Sequence, residues 1–154
     1  MSFVTKIEAR AYSRATEVPE RVIEAILNLY AEKFRELVQF GSTKVEGYSG
    51  DEILIVESVL KDKAGCEATL DHIFGKLDER NLRHLRNSLS RRIDRNCFFF
   101  VRIDKQAAFL DDIRLAKGPD VISIQVHIQQ YPKCRQEEAK AMLKNRLDLV
   151  GGED

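Results

Sequence analysis

The sequence predicts an α+β fold: a two-layer sandwich in which an antiparallel or mixed sheet carries helices mainly on one face. Three observations predict it. Helical and strand-like runs are interspersed along the chain. Residues 113–116 and 121–129 flank the four-residue link Lys117-Gly118-Pro119-Asp120, which predicts an antiparallel hairpin. The second arm alternates cleanly, with Ile122, Ile124, Val126 and Ile128 inward and Ser123, Gln125, His127 and Gln129 outward. That is a strand covered on one side only.

The elements follow in order. Val4 to Tyr12 alternates, with Thr5, Ile7, Ala9 and Ala11 against Lys6, Glu8 and Arg10, and reads as a half-buried strand. Thr16 caps a helix with Pro19 in its first turn, and Val22, Ile23, Ile26, Leu27 and Tyr30 repeat at helical spacing. Residues 31–40 continue that helix or begin another, and Gly41-Ser42 ends it. Residues 46–51 form a loop framed by Gly47 and Gly50. Residues 52–60, rich in Ile and Val, form a central strand. Leu70, Ile73, Phe74 and Leu77 mark a helix over 66–77, and Leu82, Leu85, Leu89 and Ile93 mark a second over 79–94. Residues 97–103, with three consecutive phenylalanines, form a strand, and residues 135–150 a last helix. Ile7, Ile26, Ile55, Leu85, Val101 and Ile124 are expected in the core. Residues 1–131 form the main domain, and 132–154 a helical extension with a frayed tail.

Composition narrows the function. A chain of 154 residues makes one domain that buries roughly 70% of its unfolded surface. Hydrophobic residues at 44% and charged residues at 32% exclude a disordered chain. Lys+Arg and Asp+Glu both total 25, so bulk charge does not drive binding to a polyanion. No apolar run of 18 residues spans a membrane, and residues 1–8 lack a secretory pattern, so a cytoplasmic protein is expected. Cys66, Cys97 and Cys134 are widely spaced and form no CxxC pair, so free thiols are expected and a zinc site is not. Phosphate-loop, dinucleotide, nucleophile-elbow and HExxH motifs are all missing, so no catalytic residue, cofactor or metal is expected. Asp111-Asp112 reads as a loop or strand edge, because strand neighbours point to opposite faces.

One segment stands out. Residues 80–95 hold Arg80, Arg83, Arg86, Arg91, Arg92 and Arg95 against the single acid Asp94. On one continuous helix, Arg80, His84, Arg91 and Arg95 lie opposite the leucine stripe, with Arg83 and Arg86 nearer its border. Guanidiniums are always charged and fork onto phosphate oxygens, so Arg80, Arg83, Arg86, Arg91 and Arg95 are candidate phosphate ligands. A solvated face paired with acids from elsewhere is the plainer alternative. A second group, Arg102 to Gln106 followed by Arg114, joins two strands. Lys105, Gln106 and Arg114 there suit a sugar hydroxyl or a base edge, or else form an ordinary polar turn.

The stretch Arg102-Ile103-Asp104-Lys105-Gln106-Ala107-Ala108-Phe109-Leu110, then Ile113-Arg114-Leu115, then Asp120-Val121-Ile122, resembles a mostly archaeal family of RNA-binding proteins often labelled exosome subunits. Ala15-Thr16-Glu17, and Glu46-Gly47 with Gly50, fit the same pattern over roughly residues 3 to 129. The resemblance implies a fold like that of the ribosomal protein that contacts 5S rRNA. It also implies binding of structured RNA, tied to RNA processing or the ribosome, without catalysis. Tyr48 and Asp51 stand where the family usually carries His and Asn. The competing expectation is a protein-interaction module or homodimeric adaptor that binds no nucleic acid.

Overall fold

The structure is a computed structural model, and it describes residues 2–47 and 50–151. The elements are β1 (Ser2–Ser13), α1 (Pro19–Leu27), a 3₁₀ segment (Glu32–Leu37), β2 (Gln39–Glu46) and β3 (Glu52–Leu60). These are followed by α2 (Lys63–Lys76), α3 (Glu79–Asn87), α4 (Leu89–Arg92), β4 (Phe98–Asp104), α5 (Lys105–Phe109), β5 (Val121–Gln130) and α6 (Gln136–Gly151). The five strands form one antiparallel sheet in the order β2-β3-β1-β5-β4.

The helices cover one face. Ile7, Val56, Leu60, Phe99, Val101, Ile124 and Val126 project from the sheet into a core shared with Ile26, Leu70, Phe74 and Leu85. The extension beyond residue 131 reaches the same core: α6 buries Ala139, Leu143 and Leu147. Arg146 ties α6 to Glu67 and Asp71 of α2, the latter at 2.8 Å, and Asp148 meets Arg86 of α3 at 3.0 Å. The expected frayed tail at 152–154 lies outside the described residues, as do Tyr48 and Ser49 of the 46–51 loop. No described helix is long and apolar enough to cross a membrane.

Several local expectations are corrected. Val4, not Thr5, is buried with Ile7, because a bulge between Val4 and Lys6 shifts the phase of β1 against β5. Thr16 is not the cap; the N-cap of α1 is Val18, with Pro19 at the first position. Residues 31–40 make no further helix. They form a 3₁₀ segment and enter the edge strand β2, whose residues are mostly exposed and so lack the alternation that marks a half-buried strand. Ile55 is half-buried rather than in the core, since it pairs with Tyr12 and Thr43 on the open face.

The helix expected over 79–94 breaks at Ser88, which takes φ −107° and ψ 8°. The Ser88 hydroxyl lies 2.9 Å from the His84 carbonyl and 3.2 Å from that of Leu85, so it competes for the carbonyls that would continue the helix. The hairpin expected from 113–116 and 121–129 does not form. Asp104 caps α5 by accepting from the Ala107 N–H at 2.9 Å, and the chain returns along the outer edge of β4. There Leu115 makes an isolated bridge with Ile103, and the chain then crosses to β5 on the inner side of β4. Cys97 and Cys134 are not free thiols: they form a disulfide across 37 residues, with Cα atoms 5.8 Å apart. Wide spacing hid it, because β4 and α6 meet only in the fold. Cys66 is free and buried, and burial pushes its thiol up to about 11.

Candidate nucleic-acid interface

Breaking the arginine helix redistributes its charges. Leu82, Leu85 and Leu89 still face the core, and Ile93 bridges Phe99, so α3, α4 and the turn after them lie along the outer edge of β4. Arg80 is exposed at the start of α3. Arg83 is exposed and pairs with Glu79 at 3.7 Å, one helical turn back. Arg86 is half-buried against Asp148 at 3.0 Å, so it holds α3 to α6. Arg91 is exposed on α4, and Arg95 is exposed in the turn entering β4 rather than on a helix. One face of one helix therefore does not carry Arg80, Arg91 and Arg95 together.

What gathers instead is a cluster at the β4 edge. Arg92 Nε donates to Ser88 Oγ at 2.7 Å, and Nη1 reaches the Phe100 carbonyl at 3.4 Å. Burial, and then the like charges of Arg91 and Arg102, pull the Arg92 guanidinium below its ordinary value. Asp94, the only acid of the segment, is spent on the backbone: its carboxylate accepts from the Asn96 and Phe98 N–H groups at 2.9 and 3.0 Å. Among the described residues, Arg91, Arg95 and Arg102 have no carboxylate within ion-pair distance.

Lys105 is buried and held by acceptors of its own chain. It is 3% exposed, and its Nζ lies 2.7 Å from the Tyr12 carbonyl, 2.8 Å from Glu17 and 2.9 Å from Asp120. The chain enters α5 at the end of β4, which turns this side chain inward between β1 and the turn before α1. Gln106 is exposed and donates to Asp120 Oδ2 at 2.9 Å. Burial raises the Asp120 carboxyl, but hydrogen bonds from Gln106 and Lys105 outweigh it and hold the group below its ordinary value. Arg114 is exposed, pairs with Asp112, and shares a cleft with Arg80, Asn81 and Lys117. Asp111 binds Lys76 at 2.8 Å. Among the described residues no group of three His, Cys, Asp or Glu side chains is placed to hold a metal.

Sequence reasoning named Arg92 and Arg102 within their segments without making either a candidate ligand, and it passed over Phe100. A usable signal was the run Phe98-Phe99-Phe100. In a strand, alternation buries one ring and turns two outward. Phe99 is buried, Phe98 packs on His127 with ring centroids 4.2 Å apart and the planes tilted by 45°, and Phe100 remains 40% exposed.

A family described as RNA binding matches residues 6–128. The chain belongs to that family. It is 30% identical over 149 residues to an RNA-binding protein of Pyrococcus abyssi, covering 96% of this chain and 94% of that one. It is also 30% identical over 148 residues to an uncharacterised protein of Methanocaldococcus jannaschii, covering 94% and 98%. A crystal structure of a DUF54 protein from Archaeoglobus fulgidus shares the fold with a TM-score of 0.78 at 24% identity, covering 93% of this chain and 99% of that one. Membership in an archaeal RNA-binding family and the α+β sandwich thus agree with the resemblance read from residues 102–122.

Proposed function

We propose that this chain binds RNA, without acting on it chemically, through the arginines gathered along the outer edge of β4. The observation that carries the reading is the unpaired charge there. Arg91, Arg95 and Arg102 lack a carboxylate partner among the described residues, and Arg92 lies among them. Like charges gathered this way repel one another, and a phosphodiester chain relieves that repulsion while releasing its own counterions. Arg80 and Arg114 extend the site along the returning segment, where Leu115 N–H donates to Asn81 Oδ1 at 3.1 Å. Arg83 contributes from the rim. The family's RNA-binding description and the name of the Pyrococcus relative support the same reading.

The site holds a backbone and does not by itself read sequence. Binding of a structured RNA, followed by fluorescence anisotropy across a salt series, tests it. Log affinity should fall linearly with log salt, by roughly 0.7–0.9 per phosphate contacted. A flat response, with the protein self-associating in light scattering, would favour the adaptor reading.

A further inference from the structure

The sheet face turned away from the helices shares Arg102 with the phosphate site, and the rest of it is built from groups that suit nucleic acid. Two rows cross four strands there. One runs Val59, Glu8, Gln125, Phe100 and the next Glu57, Arg10, Ser123, Arg102, following the pairings of β3, β1, β5 and β4. They line one shallow groove. At the usual strand spacing, four strands span about 14 Å.

The chemistry of the groove is uneven in an informative way. Both carboxylates are already matched: Glu8 by His127 at 2.8 Å and Lys6 at 3.6 Å, Glu57 by Arg10 at 3.9 Å. Arg102 has no acid partner among the described residues, so it sets the sign of the field and joins the groove to Arg91 and Arg92 at the strand edge. Beside it stands Phe100, an exposed ring on a strand fixed by pairing with β5 and by the Arg92 bond to its carbonyl. Gln125 lies directly opposite Phe100, and Ser123 opposite Arg102. An exposed ring on a rigid sheet, next to amide and hydroxyl groups, suits a base splayed out of its stack.

We infer that this groove binds unpaired RNA bases. One base stacks on Phe100, Gln125 and Ser123 meet base edges or 2′-hydroxyls, and the backbone leaves toward the β4-edge arginines. The inference rests on the RNA-binding reading and adds a substrate class to it: structured RNA that presents a single-stranded loop. A paired duplex offers no ring face to Phe100, so stacking on that ring adds nothing to duplex affinity.

The test uses the full chain with two RNAs, a hairpin carrying 2-aminopurine in its loop and a blunt duplex of the same stem. The chain has no tryptophan, so the probe is read cleanly. Wild type should quench the loop probe and bind the hairpin more tightly than the duplex. Phe100→Ala should lose the quench and weaken hairpin binding about tenfold, with duplex affinity and salt slope unchanged. Phe100→Leu, which keeps apolar bulk under a matched melt, should lose the quench as well, and Phe100→Tyr should keep it. Hairpin binding and quench unaltered in both Phe100→Ala and Phe100→Leu would overturn the inference and leave the phosphate site standing. Wild type that binds neither RNA would overturn both.

Discussion

The Nζ of Lys105 lies 2.8 Å from the Oε2 of Glu17, closing an ion pair across 88 residues between the start of α5 and the turn before α1. The Lys105 side chain is only 4% exposed, and its other contacts are Asp120 and the Tyr12 carbonyl. The ammonium is therefore matched by two carboxylates and one carbonyl, each fitted to one of its three donors. Removing one acid leaves a buried cation partly unmatched. Glu17→Ala should cost about 2 kcal/mol, less than the loss for a fully buried pair because Asp120 remains. A urea midpoint that does not move would show the pair to be ornamental.

The same clasp sets an acid sensitivity. The folded Asp120 carboxyl sits below its ordinary value, because hydrogen bonds from Gln106 and Lys105 outweigh its burial. A depressed folded value stabilises the fold above the unfolded carboxylate pKa of about 3.9, and that contribution is lost as pH falls through the lower folded value. Asp111, held down by its hydrogen bond from Lys76, and Asp78, held down by the Asn81 N–H, act in the same direction. Asp71, raised by burial, opposes them. Stability should thus fall below about pH 4, and Asp120→Asn should lower stability at pH 7 while flattening that fall. An unchanged acid limb in the variant would remove Asp120 from the account.

The Cys97–Cys134 bridge yields a third expectation. It closes a loop of 37 residues joining β4 to the entry of α6. Restricting the unfolded chain over that length stabilises the fold by about 2–4 kcal/mol. Unreduced, denatured protein should alkylate at Cys66 alone, and Cys134→Ser should melt at lower temperature. Alkylation of all three cysteines without reductant would show the bridge does not form.

Legibility followed the physics of pattern. β1, β5, α2 and α6 were readable because each buries one stripe and exposes the other, as Ile122 to Ile128 do, and β3 because of its run of Ile and Val. β2 was not, because an edge strand with both faces largely exposed carries no alternation. The break at Ser88 was not, because a serine hydroxyl that caps carbonyls looks like any helical serine in a sequence. The candidate site suffered in the same way. A helical projection of residues 80–95 located the arginines in the right part of the chain, but it could not place Arg86 against Asp148, 62 residues away, or Arg102 beside Arg92. The burial of Lys105 was not legible because its three partners come from residues 12, 17 and 120.

That contrast between arginines gives the sharpest prediction. Arg86 and Arg91 belong to one short stretch of sequence and carry the same charge. Arg86 is half-buried and faces Asp148 at 3.0 Å, whereas Arg91 is exposed and, with Arg95, has no carboxylate beside it among the described residues. If charge alone mattered, each would contribute alike to RNA affinity. Because Arg86 is already engaged, Arg86→Ala should loosen α6 from α3, lower the melting temperature, and leave the slope of log affinity against log salt where it was. Arg91→Ala with Arg95→Ala should do the reverse. The melt should stay within about 0.5 kcal/mol of wild type, as for surface changes without partners. The salt slope should become shallower by roughly 1.4–1.8, two phosphate contacts' worth. Paired melting and anisotropy measurements on the two variants separate these outcomes. A slope that drops in Arg86→Ala but not in the double variant would move the phosphate site away from the β4 edge and onto the α3–α6 seam.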